Sequence, residues 1–108
     1  MPSLHDLTAR CHRIGTELCE RDLSLHELVD RATALTFLAR SLEELVEKQP
    51  TTTVVPGHVG SGCQRIDVAL AELHEAAAIV QAGNQEELGK WLLDAQRHLR
   101  AACRLMAA

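Results

Sequence analysis

The chain has 108 residues, a net charge of −4 and a hydrophobic share of 46% that is dominated by 17 leucines and 15 alanines. Leucine, alanine, glutamate and arginine favour helices, and aromatic residues make up only 2% of the chain, so the composition argues for one helical domain without strands. A negative charge and a sequence pI near 5.8 argue against a nucleic-acid surface, which requires clustered cations.

The composition also predicts where the protein resides. No stretch approaches the ~20 apolar residues of a membrane helix, and the first residues lack the basic and apolar pattern of a signal peptide. We therefore expect no membrane association and a cytoplasmic location, where cysteines stay reduced. Nine arginines against two lysines, with abundant alanine, indicate a bacterial source with a GC-rich genome.

In the first half of the chain, apolar residues recur at alternating steps of three and four, which is the stripe of an amphipathic helix. The stripe is interrupted only at Arg21. Just beyond it, Ser24 and Glu27 have the spacing of a capping box, in which each residue binds the other's backbone N–H. This break predicts two helices, over residues 3–21 and 25–48.

A different structure follows if the apolar pattern runs through the interruption. Residues 3–48 then form a single helix of about 69 Å. The fold becomes a long helical hairpin, a coiled coil that must dimerise to cover its stripe. The sequence favours the break, and the hairpin stays the alternative.

The sequence in the middle of the chain predicts a loop followed by a third helix. Residues 49–60 contain two prolines, two glycines and three threonines, which predict the single long loop. A new apolar stripe then predicts a helix over residues 62–82. Ser61 and Gln64 have the capping-box spacing that would open this helix.

The last helix is predicted by a glycine that ends the preceding helix and by an N-cap residue directly after it. Gly83 is placed to end the third helix, and Asn84 with Glu87 to cap a fourth over residues 85–106. The four segments together predict an all-α fold, an antiparallel four-helix bundle in which residues 1–108 form one domain.

The pattern Cys-x-Arg-Ile-x-x-x-Leu occurs twice, and its Cys, Ile and Leu fall on one helix face, which favours small buried thiols. An antiparallel bundle would nevertheless bring three thiols and two imidazoles toward the same end: Cys11, Cys63, Cys103, His5 and His98. These groups are ligands for Zn²⁺ or Cu(I), so a metal-binding or thiol-redox bundle is one alternative function. No local spacing such as Cys-x-x-Cys supports it.

Three apolar residues lie off the main stripe of the second predicted helix and widen its apolar face: Phe37, Leu38 and Leu45. A stripe wider than a monomer core requires predicts a second contact surface and hence a homodimer. Nucleophile, phosphate-binding and dinucleotide motifs are missing from the sequence. The leading hypothesis is therefore a non-enzymatic helical interaction or regulatory module without a cofactor, with a second copy or another protein as its partner.

A third hypothesis rests on Trp91, the single tryptophan. A large amphipathic ring on a helix of a bundle is suited to line an apolar pocket between helices. The chain would then bind a small apolar ligand or serve as an accessory subunit of a larger enzyme.

Overall fold

The computed structural model describes residues 3–20, 23–48 and 56–107. It contains four helices: α1 (Leu4–Glu20), α2 (Leu25–Lys48), α3 (Pro56–Ala82) and α4 (Gln85–Ala107). The described ranges contain no strand. The predicted all-α bundle is confirmed, and because α1 and α2 are separate helices, the single long helix over residues 3–48 is not formed.

Neighbouring helices pack antiparallel. Helix α1 lies beside α2 and α4, α3 lies beside the same two helices, and α1 and α3 sit on the diagonal without contact. The most extensive packing is between α3 and α4. None of the four helices, within the described residues, combines the length and apolar composition needed to cross a bilayer.

Helix boundaries are set largely by capping residues, as predicted. The Ser24 N–H donates to Glu27 Oε1 (3.3 Å), and the Glu27 N–H donates to Ser24 Oγ (3.2 Å), which completes the capping box of α2. Before α4, the Glu87 N–H donates to Asn84 Oδ1 (3.2 Å). Gly83 has φ of +79°, a conformation that glycine adopts without steric cost, and it ends α3.

The predicted start of the third helix is wrong. Helix α3 begins at Pro56 rather than at residue 62, and Ser61 is inside the helix, where it opens nothing. Proline is favoured in the first helical turn, because its missing N–H has no partner there in any case. Val59 is buried in the core, so tertiary packing overrides the two glycines that suggested a loop. The remainder of the predicted loop, residues 49–55, lies outside the described residues.

Two glycines allow α4 to approach its neighbours closely. A Cβ atom on Gly62 of α3 would lie 2.7 Å from Met106 Cγ, and one on Gly15 of α1 would lie 3.2 Å from Cys103 Cβ. Distances below about 3 Å are sterically impossible without movement of one partner. The bundle therefore depends on the absence of a side chain at Gly62, where α3 and α4 meet.

The register between α1 and α4 is marked by one buried hydrogen bond. The side-chain amide of Gln96 donates to the backbone carbonyl of Leu18. Leu18 lies in the last turn of α1, where carbonyl groups have no partner within the helix, and its side chain is completely buried. Helix α1 ends close to this point, so the part of α4 that precedes Gln96 extends past it.

We expect Gly62→Ala to destabilise the fold by about 1–3 kcal/mol, because the added methyl group must displace the buried Met106. Gly89→Ala is the matched control. A Cβ atom on Gly89 meets nothing within 4 Å, and alanine favours a helix interior, so this variant gains about 0.5–1 kcal/mol. Urea unfolding measures both changes. Equal stabilisation by the two variants would contradict the close packing of α3 on α4.

Candidate functional site

The predicted thiol and imidazole ligands are distributed over separate places in the bundle. Cys11 and Cys103 are buried between α1 and α4. Cys63 lies between α2 and α3, where its Sγ–H donates to Glu43 Oε1 at 3.2 Å. His5 is exposed in the first turn of α1. These four side chains do not form a group of three ligands on one ion.

The chemistry of the thiols agrees with a structural role. Burial raises the pKa of Cys11 to about 11, and burial together with the neighbouring Cys11 and Cys19 raises the pKa of Cys103 to about 12. The pKa of Cys63 is raised to about 11 by burial and by the Glu43 carboxylate. Each of these thiols is therefore protonated at neutral pH in the metal-free protein, whereas metal binding and redox reactivity need a thiolate.

A different group of potential ligands is assembled between α3 and α4. Among the described residues, Glu72, Asp94 and His98 form the one set of three metal-ligand side chains whose atoms lie within 4.8 Å of one another. His98 Nε2 is 3.2 Å from Glu72 Oε1 and 3.8 Å from Asp94 Oδ2. His98 was one of the predicted ligands, but its neighbours are carboxylates rather than thiols. We call these three residues the carboxylate–histidine cluster.

Glu72 is an unusual member of this cluster because it is a buried acid. Its side chain is only 8% exposed, and its Oε2 atom has no hydrogen-bond partner. Burial and the nearby Asp94 carboxylate raise the pKa of Glu72 from 4.5 to about 7. A charged carboxylate at this position has one partner, His98 Nε2, which is fewer than a buried charge normally has.

Arg65 sets the orientation of the imidazole from the opposite side. Its Nη1 atom is 3.1 Å from His98 Nδ1. Arginine donates hydrogen bonds and accepts none, so Nδ1 of a neutral His98 accepts, and Nε2 carries the hydrogen that points at Glu72. The cluster is thus a chain of hydrogen-bonding groups that links α3 to α4.

Sequence reasoning missed Glu72 and Asp94, although signals for both were present. Asp94 and His98 are four residues apart, which places them on one helix face. Glu72 lies three residues after Ala69 and four before Ala76, both of which are buried, so its position on the inner side of α3 follows from helical spacing. Local Cys and His spacings do not indicate an acid that comes from a second helix.

The structure places the predicted contact residues in two different environments. Phe37 is 62% exposed on α2, as expected for a residue off the main stripe. Leu38 and Leu45 are only 7% and 6% exposed, because they contribute to the core of the single chain. Leu45 therefore belongs to the core of the single chain, and Leu38 meets the surface only where it lines the depression beside Phe37.

Trp91 does not line a pocket between helices. It is half-buried and borders an open depression whose other lining residues are Asn84 and further residues of α4 itself. A depression formed by one helix and its cap does not enclose an apolar ligand, so the predicted ligand pocket at Trp91 has no support in the described residues.

Side-chain burial stops well before the turn between α3 and α4. Ala76 and Ala95 are buried, and no residue from 77 to 94 is. Large apolar side chains nevertheless continue along this segment: Ile79, Val80, Leu88, Trp91, Leu92 and Leu93. We call residues 77–94 the distal hairpin.

Comparisons of the chain with protein-family models, with curated proteins and with solved structures find no match. Function is therefore inferred from the side chains and surfaces of the molecule itself.

We expect one of the four thiols to react rapidly with a disulfide reagent at neutral pH. Cys19 is exposed, whereas Cys11 and Cys103 are buried. A Cys19→Ser variant should lose the fast phase, and Cys63→Ser should retain it. Fast labelling of Cys103 in the folded protein would contradict its burial between α1 and α4.

We expect Glu72 to make the fold less stable as pH rises. Its pKa is raised in the folded state, so between pH 4.5 and about 7 the folded protein holds a proton that the unfolded chain releases. This contribution to stability is complete below pH 4.5 and is lost as pH passes 7, with a slope of at most about 1.4 kcal/mol per pH unit.

Urea unfolding from pH 5 to pH 8, in buffer with a metal chelator, measures this effect. Glu72→Gln should lack the part of the pH dependence of stability that comes from Glu72, and it should be more stable than wild type at pH 8. Because Asp94 lies against Glu72, the difference between the two proteins reports the Glu72–Asp94 pair. The exposed Glu75 on the same helix supplies the control, Glu75→Gln, which should leave the profile unchanged.

Proposed function

We propose that the chain is a non-enzymatic helical interaction module that forms a homodimer through the distal hairpin. The observation that carries the proposal is the mismatch between pattern and burial: the apolar stripes of α3 and α4 continue through residues 77–94, where no side chain is buried. Exposed apolar area of this kind is typical of protein contact sites. We expect the module to act in the bacterial cytoplasm.

A second copy is the partner that best fits this surface. From Gln96 to the C-terminal end of α4, helices α1 and α2 pack beside α3 and α4. From Gln96 toward the turn at Gly83, helix α1 no longer covers them. Two distal hairpins related by a two-fold axis would cover each other and complete a four-helix arrangement between chains. Such an interface is self-complementary, because each chain contributes the same surface.

The charges favour the distal hairpin over the surface around Phe37. Arg10 and Arg13 line the depression beside Phe37, so a two-fold contact there would bring several arginines together. On α4, acidic and basic side chains alternate: Glu86, Glu87, Lys90, Asp94 and Arg97. Mixed signs allow opposite charges to face each other across a dimer.

The sedimentation behaviour of two matched variants tests the proposal. Leu93 and Phe37 are exposed by 45% and 62%, so glutamate at either position is tolerated by the monomer fold. Leu93→Glu should weaken the dimer roughly 100-fold, because it buries a charge in the contact. Phe37→Glu should leave the association constant unchanged.

The fluorescence of Trp91 gives an independent measurement, because it is the single tryptophan in the chain. Its emission should shift to shorter wavelength as the wild-type protein is concentrated through the dimerisation range, and Leu93→Glu should abolish the shift. A wild-type protein that remains monomeric contradicts the homodimer. Dissociation by Phe37→Glu alone would assign the contact to α2 instead.

A further inference from the structure

We infer that the carboxylate–histidine cluster is a binding site for a divalent transition-metal ion, and that Zn²⁺ is the ion whose chemistry fits it best. Glu72 reaches the site from α3, and Asp94 and His98 reach it from successive turns of α4. All three ligands come from one chain, although Asp94 also belongs to the distal hairpin of the proposed homodimer, so the site is tested on the monomeric protein at low concentration.

The spacing of the ligand atoms suits a tetrahedral ion. Zinc binds imidazole nitrogen and carboxylate oxygen at about 2.0–2.2 Å, so ligand atoms of a tetrahedral site are separated by about 3.3 Å. His98 Nε2 lies 3.2 Å from Glu72 Oε1 and 3.8 Å from Asp94 Oδ2. The three ligand atoms all lie within 4.8 Å of one another, so small side-chain movements would bring them onto one ion, with water as the fourth ligand.

The buried oxygen of Glu72 provides the second and independent argument. Its side chain is more than nine-tenths buried, no donor group reaches its Oε2 atom, and the Asp94 carboxylate lies within hydrogen-bonding reach of the Glu72 carboxyl group. A buried carboxylate needs a cation or several hydrogen bonds, and a metal ion would supply the charge for both Glu72 and Asp94. The Asp94 side chain is 55% exposed, so an ion has a path from solvent to the buried ligand.

The donor set distinguishes among ions. Mg²⁺ and Ca²⁺ prefer a shell made of oxygen atoms, with six or more ligands, whereas one imidazole and two carboxylates suit Zn²⁺ and its neighbours in the transition series. Thiolates are not required, and the protonated thiols of the bundle do not enter the site.

Arg65 opposes metal binding in a specific way. An ion on His98 Nε2 requires the imidazole hydrogen to move to Nδ1, where it would face the N–H group of Arg65. Arg65 is exposed and free to turn toward solvent. In an Arg65→Gln variant, the amide oxygen could accept the hydrogen from Nδ1, and this kind of support typically changes metal affinity by 10- to 100-fold.

Calorimetric titration of the reduced, metal-free protein with Zn²⁺ tests the inference. Wild type should bind one ion per chain, and Asp94→Asn and Glu72→Gln should each weaken binding at least about tenfold. The matched control is His26→Asn: His26 and Asp30 form the same i, i+4 pair with a 3.5 Å separation, but on an exposed surface. This variant should bind as wild type does, and Arg65→Gln should bind about tenfold more tightly.

A parallel titration with Co²⁺ identifies the ligands. Nitrogen and oxygen ligands give the visible bands of a cobalt site without the intense ultraviolet band of a cobalt thiolate. A thiolate band would show that the exposed Cys19 or another cysteine captures the ion, and would overturn the assignment. The assignment would also be overturned if wild type, Asp94→Asn and Glu72→Gln bound the ion equally well, or if none took it up. The cluster would then only share a proton among its side chains.

Discussion

The hydrogen bond from Gln96 to the Leu18 carbonyl marks the constraint on which the rest of the molecule depends. A buried carbonyl in the last turn of a helix needs a partner from elsewhere in the protein, and Gln96 provides it for Leu18. This contact marks how far α1 reaches along α4. On the side of Gln96 toward the C-terminus of α4, four helices share a core. On the other side, toward Gly83, the apolar stripes of α3 and α4 are only partly covered. The carboxylate–histidine cluster lies close to this boundary, since Asp94 and His98 flank Gln96 on α4.

Much of the fold was predictable because the deciding signals are local. The boundary before α2 depends on Ser24 and Glu27, and that between α3 and α4 on Gly83 and Asn84; each acts within a few residues of chain. The start of α3 was not predictable in this way. It depends on Val59 finding a place in the core and on Gly62 fitting against Met106, which are contacts between distant parts of the sequence. Residues 57–61 have weak helix preference, and only packing makes them helical.

The candidate site, like the fold, could be predicted from local sequence only in part. Helical spacing correctly indicated that Cys11 faces inward, and Cys63, which has the same place in the second copy of the motif, is half-buried. Spacing does not tell which neighbour a side chain meets. Cys63 faces α2 and Cys103 faces α1, so two thiols at the same end of the bundle have different partners. Which acid joins His98 depends on the register of α3 against α4. That register is fixed by the sum of many side-chain contacts along the two helices, and no local pattern in the sequence reports it.

The offset between α1 and α4 also determines which part of the folded chain is expected to open most easily. The distal hairpin is held by backbone hydrogen bonds and by the contact between its own two helices, whereas the lower part of α3 and α4 is surrounded on more sides. Local opening free energy follows the density of buried apolar contacts, so we expect amide hydrogens near the Gly83 turn to exchange sooner than those near Leu99. The chain thus has a graded stability along its long axis. The segment expected to open first also carries exposed apolar side chains, among them Val80 and Leu93.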